Sequence, residues 1–542
     1  MPRVFIADKL EPLGLDLLQQ AGLEVDHRPG LKGKELQEAL RASEGMIVRS
    51  GVRVTAELLE QPGKLRAIVR AGVGVDNIDV AAATRQGIVV MNTPGGNTVS
   101  TAEQTLALLF ALVRHTAEAH ASLHQGKWER SKLVGTQLAG KTLGVVGLGR
   151  IGREVARRAL ALDMKVIGFD PFLTQERAGQ LGVEAAADLG TVLDRCDILT
   201  IHTPLTEETR NLIGAAQIAR LKKGARIINC ARGGLVNEQA LAAALEAGHL
   251  AGAAIDVFVD EPPPPDHPLL RLPNVVTTPH LGASTVEAQS SVALEAAQLL
   301  VDYLTRGLVQ SAVNMAAIDK AELQELRPYI DMCRRLGLLH AQMDQGGIRK
   351  ATLQYRSDLG GVAQKNTRLL TAAFAAGLLE TRLSGSVNIV NAELLARERG
   401  IELIEEKSTA KGDFSTLIRT EVETEKKTYV AAGTLFGNQY LRLVQLGPFH
   451  LDAYLDGIML IFTHRDVPGM IGYIGTIFGK HKVNIAQMTV GRAAPGGEAI
   501  GVLNLDTLPS EAALKQVRSH PQISSLCVVK LPAAGELPAW VG

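Results

Sequence analysis

The stretch from Lys141 to Asp170 constrains this chain more than any other, because it reads strand, glycine turn, helix, strand: TLGVVG, GLGRIG, REVARRALALDM, KVIGFD. Gly147, Gly149 and Gly152 form a GxGxxG, a weak signal when it stands alone. Set between a strand and a helix, it lets backbone approach a pyrophosphate resting on the helix N-terminus. Asp170 ends the following strand, where a carboxylate accepts hydrogen bonds from a ribose diol. Pro171 and Phe172 come next rather than an arginine, which favours NAD over NADP. Just upstream, GTQLAGKT (residues 135–142) fits the pattern of a nucleotide-triphosphate loop. Its Lys141 and Thr142 lead into a strand instead of out of one, so the context excludes that reading.

The rhythm of this unit extends through the first 310 residues. Short β-branched runs at Val4 to Ala7, Gly45 to Val48, Ala67 to Val69 and Val89 to Met91 alternate with amphipathic segments. Further strands are expected at Ile198 to His202, Arg226 to Asn229, Gly252 to Asp256 and Val275 to Thr278. Such alternation predicts parallel sheets flanked by helices. Ser100 and Glu103 read as a capping box before one long helix, Ala102 to Leu123, joining two lobes. After Arg306 the composition becomes more polar, and from Gly457 the order β, α, β, β, α, β is that of a split βαβ, ferredoxin-like unit. With 542 residues, at roughly 100 to 200 per domain, several domains are expected.

Charge and cysteines narrow the function. Lys plus Arg and Asp plus Glu are both 57, so no global field draws the chain to nucleic acid or to a membrane surface. Cys196, Cys230, Cys333 and Cys527 form no CxxC pair, which argues against a disulfide framework and a zinc site and for a reducing cytoplasm. No run approaches the ~18 apolar residues of a membrane span.

Three residues stand at the ends of predicted strands: Arg232 in NCARGGLV, Glu261 in DVFVDEPP and His280 in TTPHLGAS. An arginine, a carboxylate and a histidine placed there can converge on a small anionic substrate. His280 is suited to take the hydroxyl proton of a secondary alcohol, Glu261 to orient the imidazole, and Arg232 to pair with a carboxylate and polarise the forming carbonyl.

GLGRIG, HTPL, NCARGGLV, AIDVF with EPP, and PHLGAST occur in the order and spacing of the D-2-hydroxyacid dehydrogenases, and the chain resembles that family, in the long form acting on 3-phosphoglycerate. The resemblance implies a Rossmann-like nucleotide-binding domain (99–283) inserted in a flavodoxin-like substrate-binding domain (1–98 and 284–311). An α/β intervening domain (312–452) and a ferredoxin-like ACT domain (453–542) follow. It implies Arg232, Glu261 and His280 as the catalytic set. For NAD it implies Gly147, Gly149, Arg150, Ile151, Gly152 and Asp170, with Thr203, Pro204, Cys230, Ala231, Arg232, Asp256, His280 and Gly282 on the nicotinamide side.

For the substrate phosphate it points to Arg49, Arg70 and Asn97, with Arg130 and Lys132 supplied by a neighbouring subunit of a homo-oligomer, dimer or tetramer. In the ACT unit His464, Asp466 and Asn484 are the implied L-serine ligands. Lys407, Lys411, Lys426 and Lys427 read mainly as a solvated charged face of the intervening domain. Two rivals share the scaffold: a glyoxylate or hydroxypyruvate reductase, and a non-catalytic NAD-sensing protein.

Overall fold

The computed structural model describes residues 1–316, 320–344, 346–357, 366–383, 387–410, 412–437 and 440–538, so Lys411 lies outside the described residues. The N-terminal apolar runs form five parallel strands, β1 (Arg3–Ile6), β2 (Glu24–His27), β3 (Gly45–Val48), β4 (Ala67–Arg70) and β5 (Val89–Asn92), in the order β2-β1-β3-β4-β5. This is the flavodoxin-like order. Strand β2, half exposed at the sheet edge, has too little apolar character to have been expected from sequence.

The second sheet holds seven parallel strands: β6 (Thr142–Val146), β7 (Lys165–Phe169), β8 (Glu184–Ala185), β9 (Ile198–Ile201), β10 (Ala225–Asn229), β11 (Leu250–Ile255) and β12 (Val275–Thr277). Their order, β12-β11-β10-β9-β6-β7-β8, reverses direction between β6 and β9. That crevice, outside the strands' carboxyl ends, is where a Rossmann sheet binds its ligand.

The expected single helix from Ala102 to Leu123 is two helices, Thr98–Val113 and Thr116–His124, with His115 left-handed (φ 52°) between them. The reason is tertiary. Residues 135–136 cross the helix end, and the Thr136 N–H takes the Val113 carbonyl at 2.8 Å, so the helical ladder stops there. The expected capping box is also absent. Asn97 stands at the N-cap, Ser100 lies inside the first turn, and its hydroxyl donates to the Gly282 carbonyl at 2.7 Å.

The intervening unit is a six-stranded sheet, β14-β13-β15-β16-β17-β18, of β13 (Ile348–Ser357), β14 (Glu402–Ser408), β15 (Thr416–Thr424), β16 (Thr428–Phe436), β17 (Tyr440–Leu446) and β18 (Phe449–Tyr454). The apolar-faced helices Lys320–Met343 and Thr367–Glu380 pack on it. The last unit has the expected βαββαβ order, with β19 (Ile458–Arg465), β20 (Ile485–Arg492), β21 (Glu498–Leu505) and β22 (Ile523–Lys530) in the sheet order β20-β21-β19-β22. Edge strand β18 lies along β20, where the Gln487 side chain accepts from the Tyr454 N–H and donates to the Asp452 carbonyl.

One hydrophobic core runs from the first sheet through the helix Val286–Arg306 and the intervening unit to the back of the last sheet. A separate pair of cores sandwiches the seven-stranded sheet. Among the described residues no helix is long and apolar enough to cross a membrane.

Candidate active site

The glycine loop joins β6 to the helix Arg150–Ala161. Gly147 adopts φ 90°, and a Cβ there would lie 2.7 Å from the His202 carbonyl oxygen. A Cβ at Gly152 would lie 2.0 Å from the Gly147 oxygen, so this glycine lets helix and loop touch. Gly149 differs, because a Cβ there would meet nothing within 4 Å. The protein does not need that glycine for its own packing, which leaves close approach of a ligand as the reason for it. Asp170, just past β7, accepts from the Leu148 N–H at 2.8 Å and the Phe172 N–H at 2.9 Å, which fixes its carboxylate beside the loop.

Across the switch point, the ends of β10, β11 and β12 bring the expected trio together. His280 Nδ1 lies 2.7 Å from Glu261 Oε2, and the Phe258 N–H donates to Glu261 Oε1 at 3.1 Å. Burial pushes the Glu261 carboxyl up, but the His280 and Phe258 hydrogen bonds and the nearby Arg232 charge prevail and hold it below the usual range. An ionised Glu261 places the proton of the pair on Nδ1 and leaves Nε2 as an acceptor.

The backbone that presents His280 is itself braced. His280 is left-handed (φ 55°), and its N–H donates to the Asp256 carbonyl at 2.8 Å. The fully buried Asp256 side chain accepts from the Thr278 hydroxyl and from the Leu281 and Gly282 N–H groups at 2.8 and 2.9 Å. Asp256 therefore shapes the histidine loop and does not line the cleft.

Arg232 is held by a turn that Asn229 closes from both sides, donating to the Arg232 carbonyl and accepting from the Ala231 N–H. Its Nε donates to Asp76 Oδ2 at 3.0 Å, which links the two lobes. A Cβ at Gly74 would sit 1.8 Å from Arg232 Nη2, so only glycine leaves room for the guanidinium. Arg70 lies close by, its Nη1 donating to the Ala71 carbonyl and its Nε buried without a partner. Burial, together with the like charges of Arg232 and Arg49, pulls its guanidinium down to about 10. Three positive groups, one of them desolvated, thus lie close together.

A cleft of about 380 Å³ separates the lobes, and Asn97, Arg150, Ile151, Thr203, Pro204, Cys230, Ala231, Arg232, His280 and Gly282 all line it. Burial pushes the Cys230 thiol up to about 12, which keeps it neutral. Three buried polar atoms at this cleft, Asn97 Oδ1, His202 Nδ1 and Thr203 Oγ1, have no partner among the described residues. With the open face at Gly149 they fit a polar, phosphate-bearing dinucleotide.

Sequence reasoning missed Asp76 and His202. Asp76 stands in the same VRAGVGVDN that singled out Arg70, and His202 immediately precedes Thr203. Burial pulls the His202 imidazole down to about 4, so it stays neutral beside the cleft.

Other expected residues lie apart. Arg130 and Lys132 sit on an exposed turn, with Lys132 paired to Glu129 at 2.8 Å, and neither lines the cleft. In the last unit the expected trio is divided. Strands β19 and β20 both run antiparallel to β21, so they are parallel to each other; His464 lies level with Ala499, and Ile485 level with Leu505 and Ile458. Asn484 therefore stands at the opposite end of the sheet from His464 and Asp466, roughly 20 Å away at ~3.3 Å per residue.

Asn484 donates to Asp506 at 2.7 Å, whereas Asp466 accepts from Arg492 and from the Gly496 N–H at 3.1 Å. His464 is buried, stacked on Phe462, with Nε2 unpartnered.

Comparison with known proteins agrees with this geometry. The family model for the NAD binding domain of D-isomer specific 2-hydroxyacid dehydrogenases matches residues 106–282. Models for the D-3-phosphoglycerate dehydrogenase intervening domain and the ACT domain match residues 325–447 and 458–522. D-3-phosphoglycerate dehydrogenase of Archaeoglobus fulgidus is 42% identical over 98% of this chain and 100% of its own, and that of Bacillus subtilis is 40% identical over the same shares.

Among solved structures, a NAD-dependent formate dehydrogenase from Staphylococcus aureus in complex with NAD is 30% identical, with a TM-score of 0.53 over 59% of this chain and 100% of that one. A glyoxylate reductase from Paecilomyes thermophila is 28% identical, with a TM-score of 0.54 over 58% of this chain and 98% of that one. By matches that run nearly end to end, by the three domain models in order, and by a paired histidine and glutamate beside a dinucleotide cleft, this chain belongs to the D-3-phosphoglycerate dehydrogenases, NAD-dependent members of the D-2-hydroxyacid dehydrogenase family.

Proposed function

We propose that this chain oxidises 3-phosphoglycerate to 3-phosphohydroxypyruvate, the opening step of L-serine synthesis. The single observation that carries the reading is the His280–Glu261 pair, with Arg232 lining the same cleft and the buried Arg70 close to Arg232. His280 Nε2 receives the proton of the C2 hydroxyl, and the resulting imidazolium is stabilised by Glu261 through Nδ1–H. Arg232 binds the carboxylate and stabilises negative charge building on the C2 oxygen. When bound, NAD supplies the acceptor for the C2 hydride. Gly149, Arg150 and Ile151 hold its pyrophosphate end, Asp170 its ribose, and Thr203, Cys230, Ala231 and Gly282 border the nicotinamide side. In reverse, His280 returns the proton.

Arg49, Arg70 and Asn97 are assigned to the substrate phosphate, with Arg130 and Lys132 of a second copy completing the site in a homo-oligomer. L-serine is assigned as effector. Because His464 and Asp466 lie at one end of the sheet and Asn484 at the other, a serine touching all three bridges two copies. Free thiols at Cys196, Cys230, Cys333 and Cys527 support the cytoplasm as its compartment.

Initial rates at 340 nm with 3-phosphoglycerate, glycerate and D-lactate, each with and without millimolar L-serine, test the whole reading. A kcat/KM for 3-phosphoglycerate at least 100-fold above that for glycerate is expected, since the buried Arg70 guanidinium, left without a phosphate, penalises the analogue. Equal rates on both, or a preference for glyoxylate in the reverse direction, would return the assignment to a hydroxypyruvate or glyoxylate reductase.

A further inference from the structure

The chain passes between the two catalytic lobes twice, first through Pro94 to Asn97, from β5 into the helix Thr98–Val113, and again at the helix Val286–Arg306. The two crossings touch. A Cβ at Gly96 would lie 2.5 Å from Val292 Cγ2 and 3.1 Å from the Val292 Cα and N, so the first crossing lies directly on the helix of the second. One turn further along that helix, the half-buried Glu295 carboxylate faces the Gly95 and Gly96 N–H groups and the Arg150 guanidinium. Arg150 Nη1 and Glu295 Oε2 flank Gly95, at 3.3 and 3.6 Å from where its Cβ would stand.

Arg150 is the first residue of the helix behind the glycine loop, and it lines the cofactor cleft. Its charge acts on Glu295, and among the described residues no ion pair closes between them, so the guanidinium lies between the carboxylate and the cleft where a ligand phosphate would compete for it. One carboxylate thus sits where both lobe crossings and the cofactor-facing arginine meet. Burial pushes this carboxyl up against the opposing pull of Gly95, Arg150 and Gly96, as expected for a charge whose counter-groups only partly compensate it.

We propose that Glu295 is a positioning residue that couples cofactor binding to the lobe crossing: its carboxylate and the pyrophosphate of a dinucleotide at the glycine loop compete for Arg150, and the more Arg150 serves the pyrophosphate, the more the carboxylate is left to the Gly95 and Gly96 N–H groups. Binding of the dinucleotide and tightening of the crossing then become one event, because Arg150 cannot serve both anions fully. This rests on the assignment of the cleft to NAD. Failure of that assignment is separately visible, as wild-type enzyme that does not bind NADH.

The test is a double-mutant cycle read by NADH fluorescence titration of the full-length enzyme. Glu295→Gln keeps an acceptor for the two N–H groups and removes only the charge, so NADH should bind about three- to ten-fold tighter at low salt, with the gain shrinking as salt rises. Arg150→Met should weaken NADH, and adding Glu295→Gln to it should then change nothing, since the partner of the charge is gone. Val292→Ala, which trims apolar packing at the crossing without touching charge, should leave the tightening gained from Glu295→Gln within twofold of its size in the unmodified background.

In unmodified enzyme, NADH should slow hydrogen exchange at the Gly95 and Gly96 amides, and in Arg150→Met it should not. Unchanged or weaker NADH binding by Glu295→Gln, or the same tightening in the Arg150→Met background, overturns the proposal. So does exchange at Gly95 and Gly96 that NADH leaves unaltered in the wild type.

Discussion

The nucleotide-binding sheet and the C-terminal sheet treat neighbouring functional residues in opposite ways. In the first, all seven strands are parallel, so every carboxyl end opens on one side, and Arg150, Arg232, Glu261 and His280 converge although Arg150 and His280 are 130 positions apart in sequence. In the second, Asp466 follows β19 and Asn484 precedes β20, only a helix apart in sequence. Because β19 and β20 are parallel, the end of one strand and the start of the other lie at opposite ends of the sheet. The lesson is geometric. A parallel sheet gathers its loops at one end, whereas the split βαβ parts these two loops to opposite ends of one sheet.

The sharpest way to break this comparison is to remove the base. His280→Asn should lower kcat by about 100-fold or more while NADH binding persists, because general base catalysis contributes on the order of 10² to 10⁴. Turnover within threefold of wild type would show that the converged trio is not the catalytic one.

Next in size is the joint that carries the C-terminal sheet. Arg335 is completely buried, and its guanidinium binds Asp331 at 2.7 Å and the carbonyls of Leu455, Pro532, Ala533 and Glu536 at 3.2, 2.6, 2.9 and 3.3 Å. Arg335→Met should destabilise the joint by about 3 to 5 kcal/mol, because it strands a buried carboxylate and four carbonyls. In a denaturant titration the C-terminal unit should then separate as an earlier transition, with dehydrogenase activity retained. A single unshifted transition would mean that the joint is held elsewhere.

The smallest effect sharpens the comparison most. His464→Ala and Asn484→Ala enzymes should each lose serine inhibition, and hybrid oligomers of the two should recover part of it, since one pairing in such a hybrid places an intact His464 opposite an intact Asn484. Hybrids as insensitive as the parents would place all serine contacts within a single chain.

How much was legible beforehand depends on how local each signal is. The GxGxxG reads from sequence because each glycine answers a neighbour a few residues away, as the 2.0 Å approach of Gly152 to Gly147 shows. The strand-end trio reads because strand ends in parallel sheets share one side. Asp76 was not legible, since its partner Arg232 lies 156 residues away on another lobe. The break at His115 was equally hidden, because it is made by Thr136 taking a carbonyl from a helix whose own pattern runs on unbroken.

Sequence alone determined most of the strand order of the first two sheets, the cofactor-binding turn and the residue types of the candidate trio, because periodicity and glycine chemistry act within a few residues. Only tertiary structure decided that Asp256 braces the histidine loop, that Glu295 meets both lobe crossings, and that Asn484 is parted from His464. Each of these depends on which strand ends lie side by side in space, and no contact between neighbours in sequence encodes that.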